Sequence, residues 1–122
     1  MSSTDFNELF EEAMTFRDER EWGKFHTIRH LTSALSIEAS ELQELLLWKT
    51  DEEVIIKLAD PDFKKHLSSE VADILLYLMF ICDKADVNLF EATKTKLTLN
   101  GKRFPPEDFL GTFSREKRRE ID

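Results

Sequence analysis

Two acidic pairs are the part of this sequence best suited to chemistry. Glu38 and Glu41 stand three residues apart in an apolar stretch, and Glu70 and Asp73 repeat that spacing further along the chain. Side chains three residues apart share one face of a helix, so each pair directs two carboxylates the same way. Ionised carboxylates near an apolar core are costly unless a cation compensates them, and Mg²⁺ is the common hard cation that prefers oxygen ligands. The pattern therefore predicts a metal-dependent enzyme.

The elements that must position these acids are helices, because turn-forming residues are scarce and no alternating strand pattern occurs. We predict four main helices, at residues 5–21, 28–48, 61–85 and 88–100, and a short helix at 51–59. Gly101 should end the last one in the left-handed position. The acidic pairs fall on the second and third main helices, which should pack antiparallel with the metal between them. The predicted fold class is an all-α bundle.

Composition limits the function. The 122 residues suit one domain, which we place at 1–104, followed by an extended or disordered tail at 105–122. The net charge of −8 argues against nucleic-acid binding, since phosphate backbones are held by clustered Lys and Arg. The single cysteine, Cys82, lies in an apolar run too short to span a bilayer, and no signal pattern precedes it. We expect a cytoplasmic protein without a membrane partner.

The order of the site residues is similar to that of a known family. Glu38-x-x-Glu41, Glu70-x-x-Asp73 and then Lys96 and Asn100 resemble the all-α, MazG-like nucleoside triphosphate pyrophosphohydrolases, and most closely their dCTP pyrophosphatase branch. The likeness extends from about residue 16 to 105. The stretches that support it are Phe16-Arg17-Asp18-Glu19-Arg20-Glu21-Trp22, Phe25-His26, Glu41-Leu42-x-Glu44-Leu45-x-x-Trp48-Lys49, Glu70-Val71-Ala72-Asp73-Ile74-Leu75-x-Tyr77-Leu78 and Asn100-x-x-Arg103-Phe104-Pro105.

The resemblance implies Mg²⁺-dependent hydrolysis, with Mn²⁺ as an alternative, of a nucleoside triphosphate between its α and β phosphates. The four acids would be the metal ligands and catalytic groups, with Glu41 the candidate to activate water. The substrate-binding residues would be Trp22, His26 and Trp48 at the base and Lys49, Tyr77, Lys96, Asn100 and Arg103 at the phosphates. Ala13 stands where animal members have a pocket histidine, which leaves the preferred base open among dCTP, dATP and modified cytosine triphosphates.

Self-association is also expected. The resemblance implies a homotetramer, a dimer of dimers with a four-helix-bundle core, so the pocket can draw residues from a second subunit. The sequence supports this independently, because ten Phe and a third main helix that is apolar on nearly every side from Ile74 to Cys82 exceed what one small bundle hides.

Other interpretations stay open. Related all-α enzymes that hydrolyse dUTP or phosphoribosyl-ATP share versions of the acidic motif, and a non-catalytic helical interaction module would need no metal. A di-iron carboxylate bundle is disfavoured, because no histidine follows a glutamate at the Glu-x-x-His spacing which such centres use.

Overall fold

A computed structural model describes residues 5–111, and within that range it confirms the all-α class: six helices and one 3₁₀ turn, with no strand. The elements are α1 (Phe6–Glu19), the 3₁₀ turn (Trp22–Phe25), α2 (Ile28–Glu44), α3 (Asp51–Leu58), α4 (Pro61–Lys84), α5 (Leu89–Arg103) and α6 (Pro106–Phe109). They fall into two compact units, Met1–Val87 and Asn88–Asp122. The domain boundary predicted at residue 104 lies inside the second unit. Of the predicted tail, 106–109 forms α6, and residues from 112 onward lie outside the described range.

Side-chain caps explain where the helices begin. Asp5 accepts a hydrogen bond from the Glu8 amide at 2.9 Å, and Asn88 does the same for Glu91 at 3.0 Å. Each cap satisfies one of the amides that a first helical turn leaves without a partner. Thr27, Thr50 and Asp60 cap α2, α3 and α4 in the same way. The predicted starts of the helices are therefore confirmed.

Two predicted helix ends differ from the structure. The α-helix of α2 stops at Glu44 instead of Trp48, because the next residues wind into turns that close with Trp48 in the left-handed region at φ 65°. α5 continues through Gly101 to Arg103, so the prediction that Gly101 ends the helix is wrong. The helix stops just before Phe104, the residue preceding Pro105, where proline disfavours helical backbone.

The first unit is organised around α4, against which α1, α2 and α3 all pack. His26, just before α2, lies with its ring centroid 4.8 Å from that of Phe80, while Glu38 further along α2 meets Glu70. Later residues of α2 thus face earlier residues of α4, as expected for the predicted antiparallel pair. Among the described residues the buried apolar side chains are few: Ala13, Leu31, Met79 and Phe80.

A buried arginine ties α1 to the far end of α4. Arg17 is 8% exposed and donates from Nη1 to Asp83 Oδ2 at 2.6 Å and from Nε to Asp18 Oδ1 at 2.9 Å. These two carboxylates compensate the charge of a guanidinium that has lost most of its water. The pair fixes α1 beside α4, which positions one wall of the cleft described below.

In the described part of the second unit, residues 88–111, the helices are α5 and α6. The rings of Phe104 and Phe109 meet edge to face, with centroids 5.1 Å apart, and so join the end of α5 to α6.

Between residues 5 and 111, no helix is both long enough and apolar enough to cross a membrane.

Candidate functional site

Three of the four predicted acids meet between α2 and α4. Glu38, Glu41 and Glu70 each offer a carboxylate oxygen, and these oxygens all lie within 4.8 Å of one another. The two from α2 are close because their three-residue spacing stacks them on one helix face, and the antiparallel packing brings Glu70 opposite. Asp73 follows Glu70 by about one turn of α4. It lies outside the group of three but adds to the negative potential there.

The crowding of these acids changes their protonation. The pKa of Glu38 rises from its ordinary value of 4.5 to about 7, first because it shares a hydrogen bond with Glu70, then because of burial and the charges of Glu41 and Asp73. Burial raises the pKa of Tyr77, and the nearby carboxylates raise it further. At neutral pH the Glu38 carboxyl is therefore partly protonated, and a divalent cation can replace that proton.

The donor set fits a hard divalent cation. Glu70 Oε2 is buried and has no hydrogen-bond partner among the described residues, while its Oε1 lies 3.5 Å from Nε2 of His66. A buried carboxylate oxygen without a partner is costly, so it indicates a ligand that the protein's own atoms do not supply. Every donor within the group of three is a carboxylate oxygen, which is the ligand preferred by Mg²⁺, Mn²⁺ and Ca²⁺.

An apolar cleft of about 520 Å³ begins at Asp73 and Tyr77 and extends between α1 and α4. Phe16 and Trp22 form one corner, with their rings edge to face and centroids 5.6 Å apart. The complete lining is Leu9, Glu12, Ala13, Phe16, Trp22, His26, Asp73, Leu76, Tyr77 and Phe80. A flat, mostly apolar ring with a few polar edges is the kind of group that such a cleft accommodates.

His26 supplies a polar group inside this cleft. Its Nδ1 is buried and has no partner within the described residues. Burial lowers the pKa of His26, and the positive charges of Arg17 and Lys84 lower it further. The imidazole is therefore neutral at pH 7 and offers one donor and one acceptor nitrogen to a bound molecule.

The tight turn after α1 places Trp22 in the cleft. Glu21 adopts the left-handed backbone conformation, at φ 54°, and the 3₁₀ turn follows at once. A side chain at Gly23 would meet Arg17 Nε at 3.7 Å, so this turn lies directly over the buried guanidinium. The Arg17 ion pairs thus support the wall that carries Trp22.

The structure brings only some of the predicted site residues together. Glu38, Glu41, Glu70, Asp73 and Tyr77 surround the acidic site, and Trp22 and His26 line the adjoining cleft.

Trp48 and Lys49 follow the end of α2, and neither lines this cleft; the Trp48 side chain is 96% exposed. Lys96, Asn100 and Arg103 lie on α5 in the second unit, and the arginine guanidinium stands 5.3 Å from the centroid of the Phe104 ring.

Sequence reasoning did not select Glu12, Phe16 or His66. The first two could have been found from helical spacing, because Leu9, Glu12, Ala13 and Phe16 share one face of α1 and that face lines the cleft. His66 stands four residues before Glu70, on the same side of α4, which is a weak signal in a helix rich in polar residues.

A carboxylate cluster between antiparallel helices, next to an apolar cleft with aromatic walls, defines the class: an all-α bundle whose acidic cluster could hold a metal ion. A scan against protein-family models gives no match. A crystal structure of a pyrophosphatase from Archaeoglobus fulgidus DSM 4304 superposes with a TM-score of 0.75 and 36% identity, covering 86% of this chain and 96% of that one.

Curated relatives point the same way. The chain is 39% identical to dCTP pyrophosphatase 1 of Bos taurus and 38% identical to that of Homo sapiens, each over 90 residues. These matches cover 74% of this chain and 53% of each relative, so the chain spans about half the length of the curated relatives it matches. The chain belongs to the MazG-like family of all-α pyrophosphatases, as the resemblance predicted.

Proposed function

We propose that this protein hydrolyses deoxynucleoside triphosphates between the α and β phosphates, releasing the monophosphate and pyrophosphate, with dCTP or a close analogue preferred. The observation that carries the proposal is the cluster of Glu38, Glu41 and Glu70 at one end of the cleft that contains Trp22. This arrangement provides a place for phosphates beside a place for a base. The relatives named dCTP pyrophosphatase 1 support the choice of substrate.

In this proposal Glu38, Glu41, Glu70 and Asp73 hold Mg²⁺, for which Mn²⁺ can substitute. When bound, the metal would offset the charge of the carboxylates and phosphates and polarise the phosphate oxygens. Glu70, with its buried and unpartnered oxygen, is a fixed ligand, whereas Glu41 is exposed and can accept a proton from the attacking water. The Tyr77 hydroxyl donates a hydrogen bond to a phosphate oxygen.

The base lies in the cleft against Trp22, where His26 offers a hydrogen bond. Lys49, Lys96, Asn100 and Arg103 remain proposed phosphate contacts on the strength of the family pattern. Trp48 is proposed to enclose a base after subunits associate. In the isolated chain its indole is almost fully exposed and its backbone is in the left-handed region, and both features are unfavourable unless the side chain contacts another molecule.

A homotetramer is proposed on the same grounds. Few of the apolar side chains between residues 5 and 111 are buried in the single chain, while Ile37 on α2 and Val71 on α4 are more than half exposed. Leu76, which lines the cleft, is also exposed at 36%. Light scattering coupled to size-exclusion chromatography tests the mass, for which four copies are expected and a stable monomer would contradict the proposal.

The activity is tested by ion chromatography of the products formed from each canonical deoxynucleoside triphosphate with Mg²⁺. We expect pyrophosphate and a monophosphate in equal amounts, with dCTP among the best substrates. Glu41→Gln and Asp73→Asn should each lower kcat/KM by about a hundredfold or more, because transition-state charge stabilisation is the main contribution to phosphoryl transfer. Glu11→Gln is the matched control: it also neutralises a carboxylate, but at an exposed position of α1 outside the cleft.

Two results would contradict the proposal. Release of single phosphate would place the cleavage at another bond. Full activity of both variants in excess Mg²⁺, equal to that of the control, would show that the acidic cluster is not the catalytic site.

A further inference from the structure

The cleft contains two polar side chains that lie away from the acidic cluster, and they differ in what they can recognise. His26 is neutral, so its ring can meet either a donor or an acceptor on a base. Glu12 reaches the cleft from α1 and offers a carboxylate, which when ionised accepts hydrogen bonds and donates none. Of the two, only Glu12 can therefore distinguish an amino group from a carbonyl group at the same ring position.

The position of Glu12 suits contact with a base. It stands four residues before Phe16 on α1, and Phe16 packs against the edge of Trp22, so the carboxylate lies about one helical turn from the aromatic corner. Ala13 beside it is apolar and 6% exposed, so this part of α1 presents Glu12 as its polar group in the cleft.

The charge of Glu12 limits which part of a nucleotide can lie beside it. Glu12 has no ion-pair partner within residues 5–111, and its negative charge would repel a phosphate. The phosphates belong instead at the Asp73 end of the cleft, beside the carboxylates that can hold a cation. The group that remains to face Glu12 is the base edge, and among base edges a carboxylate favours an exocyclic amine over a carbonyl oxygen.

We propose that Glu12 selects the substrate by accepting a hydrogen bond from the exocyclic amine of a base held against Trp22, so that cytosine and adenine nucleotides are preferred over their oxo counterparts. This rests on the proposed function and adds the determinant of base choice. A carbonyl oxygen in the same place would meet a carboxylate with no proton between them, and the two acceptors would repel each other.

The experiment compares nucleotide pairs that exchange amine for oxo at one ring position: dCTP with dUTP, and dATP with dITP. The ratio of kcat/KM within each pair is measured for the wild type, for Glu12→Gln and for Glu12→Leu. Because a glutamine amide can donate or accept, the first variant should lower the amine preference about tenfold, mainly through faster hydrolysis of the oxo nucleotide. Glu12→Leu should also lower the amine preference, but through slower hydrolysis of the amine nucleotide, because leucine cannot accept its hydrogen bond. Glu11→Gln, the neighbouring exposed position outside the cleft, should leave both ratios unchanged.

A binding measurement separates this inference from the proposed function. The thermal shifts produced by dCMP and dUMP are compared in EDTA, where hydrolysis plays no part. The inference is supported, even if no triphosphate is hydrolysed, when dCMP gives a larger thermal shift than dUMP in the wild type and the two shifts are equal in Glu12→Gln. Unchanged ratios in both nucleotide pairs, with equal shifts in wild type and variant, overturn it even if the enzyme is fully active.

Discussion

The acidic cluster should make the metal-free protein less stable, and Glu38→Gln tests this directly. The substitution keeps the shape of the side chain and leaves an amide that can still donate to Glu70, but it removes one negative charge. We therefore expect the variant to be more stable than the wild type without metal, and to lose the stabilisation that Mg²⁺ gives to the wild type.

The size of the effect follows from the pKa of Glu38. A rise from 4.5 to about 7 corresponds to about 3 kcal/mol of unfavourable free energy when the group is fully ionised. Glu38 is only half-buried, and its neighbours can move apart in solution, so screening should reduce the measured difference to about 1 kcal/mol. In a domain of this size that is about 4 °C in Tm.

The sign of the pH dependence is fixed by the direction of the shift. Below pH 4.5 the carboxyl is protonated in both the folded and unfolded chains, and the wild type and variant should be equally stable. Between that pH and about 7 the folded state binds more protons than the unfolded state, so wild-type stability falls as the pH rises. Above pH 7 the difference should be constant.

The assay is urea unfolding in EDTA at pH 5 and pH 8, repeated with millimolar Mg²⁺ in place of EDTA at pH 8. Glu11→Gln, which removes an exposed charge remote from the cluster, is the control. If Glu38→Gln destabilises the metal-free protein at pH 8, or if Mg²⁺ stabilises it as much as the wild type, the account of the cluster as an electrostatically strained cation site is refuted.

Two further predictions concern the frame of the site. Asp83→Asn should destabilise the protein by about 2 kcal/mol in urea unfolding, because it removes a negative charge that compensates the buried Arg17 guanidinium. Asp18→Asn should cost less, because the Asp18 carboxylate is 65% exposed. If Asp18→Asn proved the more destabilising of the two, the role given to the ion pair between α1 and α4 would be contradicted. Asn88→Ala should cost about 1 kcal/mol locally and speed hydrogen exchange of the Glu91 amide, and unchanged exchange would show that the cap is not needed to begin α5.

The sequence allowed the helices to be located because their beginnings are local features. Asp5 and Asn88 supply oxygens to amides only three residues away, so the cap and its helix can be read from the same short stretch. The end of α5 was mispredicted because two local signals competed there. Gly101 is compatible with a helix end but also with a helix interior, at a modest cost, whereas Pro105 restricts the backbone before it and sets the actual boundary.

The acidic site was predictable for a different reason, since like charges repeated at helical spacing on two apolar helices need a common compensating partner. The cleft was less accessible to sequence reasoning. It depends on α1 being held beside α4 by Arg17 and Asp83, which are far apart in the chain, and on a left-handed residue before Trp22. Glu12 gives no signal of its own in the sequence, because an acidic residue on an amphipathic helix is usually a solvated surface group.

The electrostatic cost of the cluster and its proposed function have the same origin. Carboxylates that repel one another in the metal-free chain lose that repulsion when a divalent cation binds, so the free energy which destabilises the fold contributes to cation affinity. Neutralising Glu38 should therefore change stability and metal binding in opposite directions. A cluster that served only to hold α2 against α4 would show the reverse, because removing a structural contact lowers stability whether or not metal is present. The opposite signs are the property that distinguishes a ligand site from a packing interaction in this bundle.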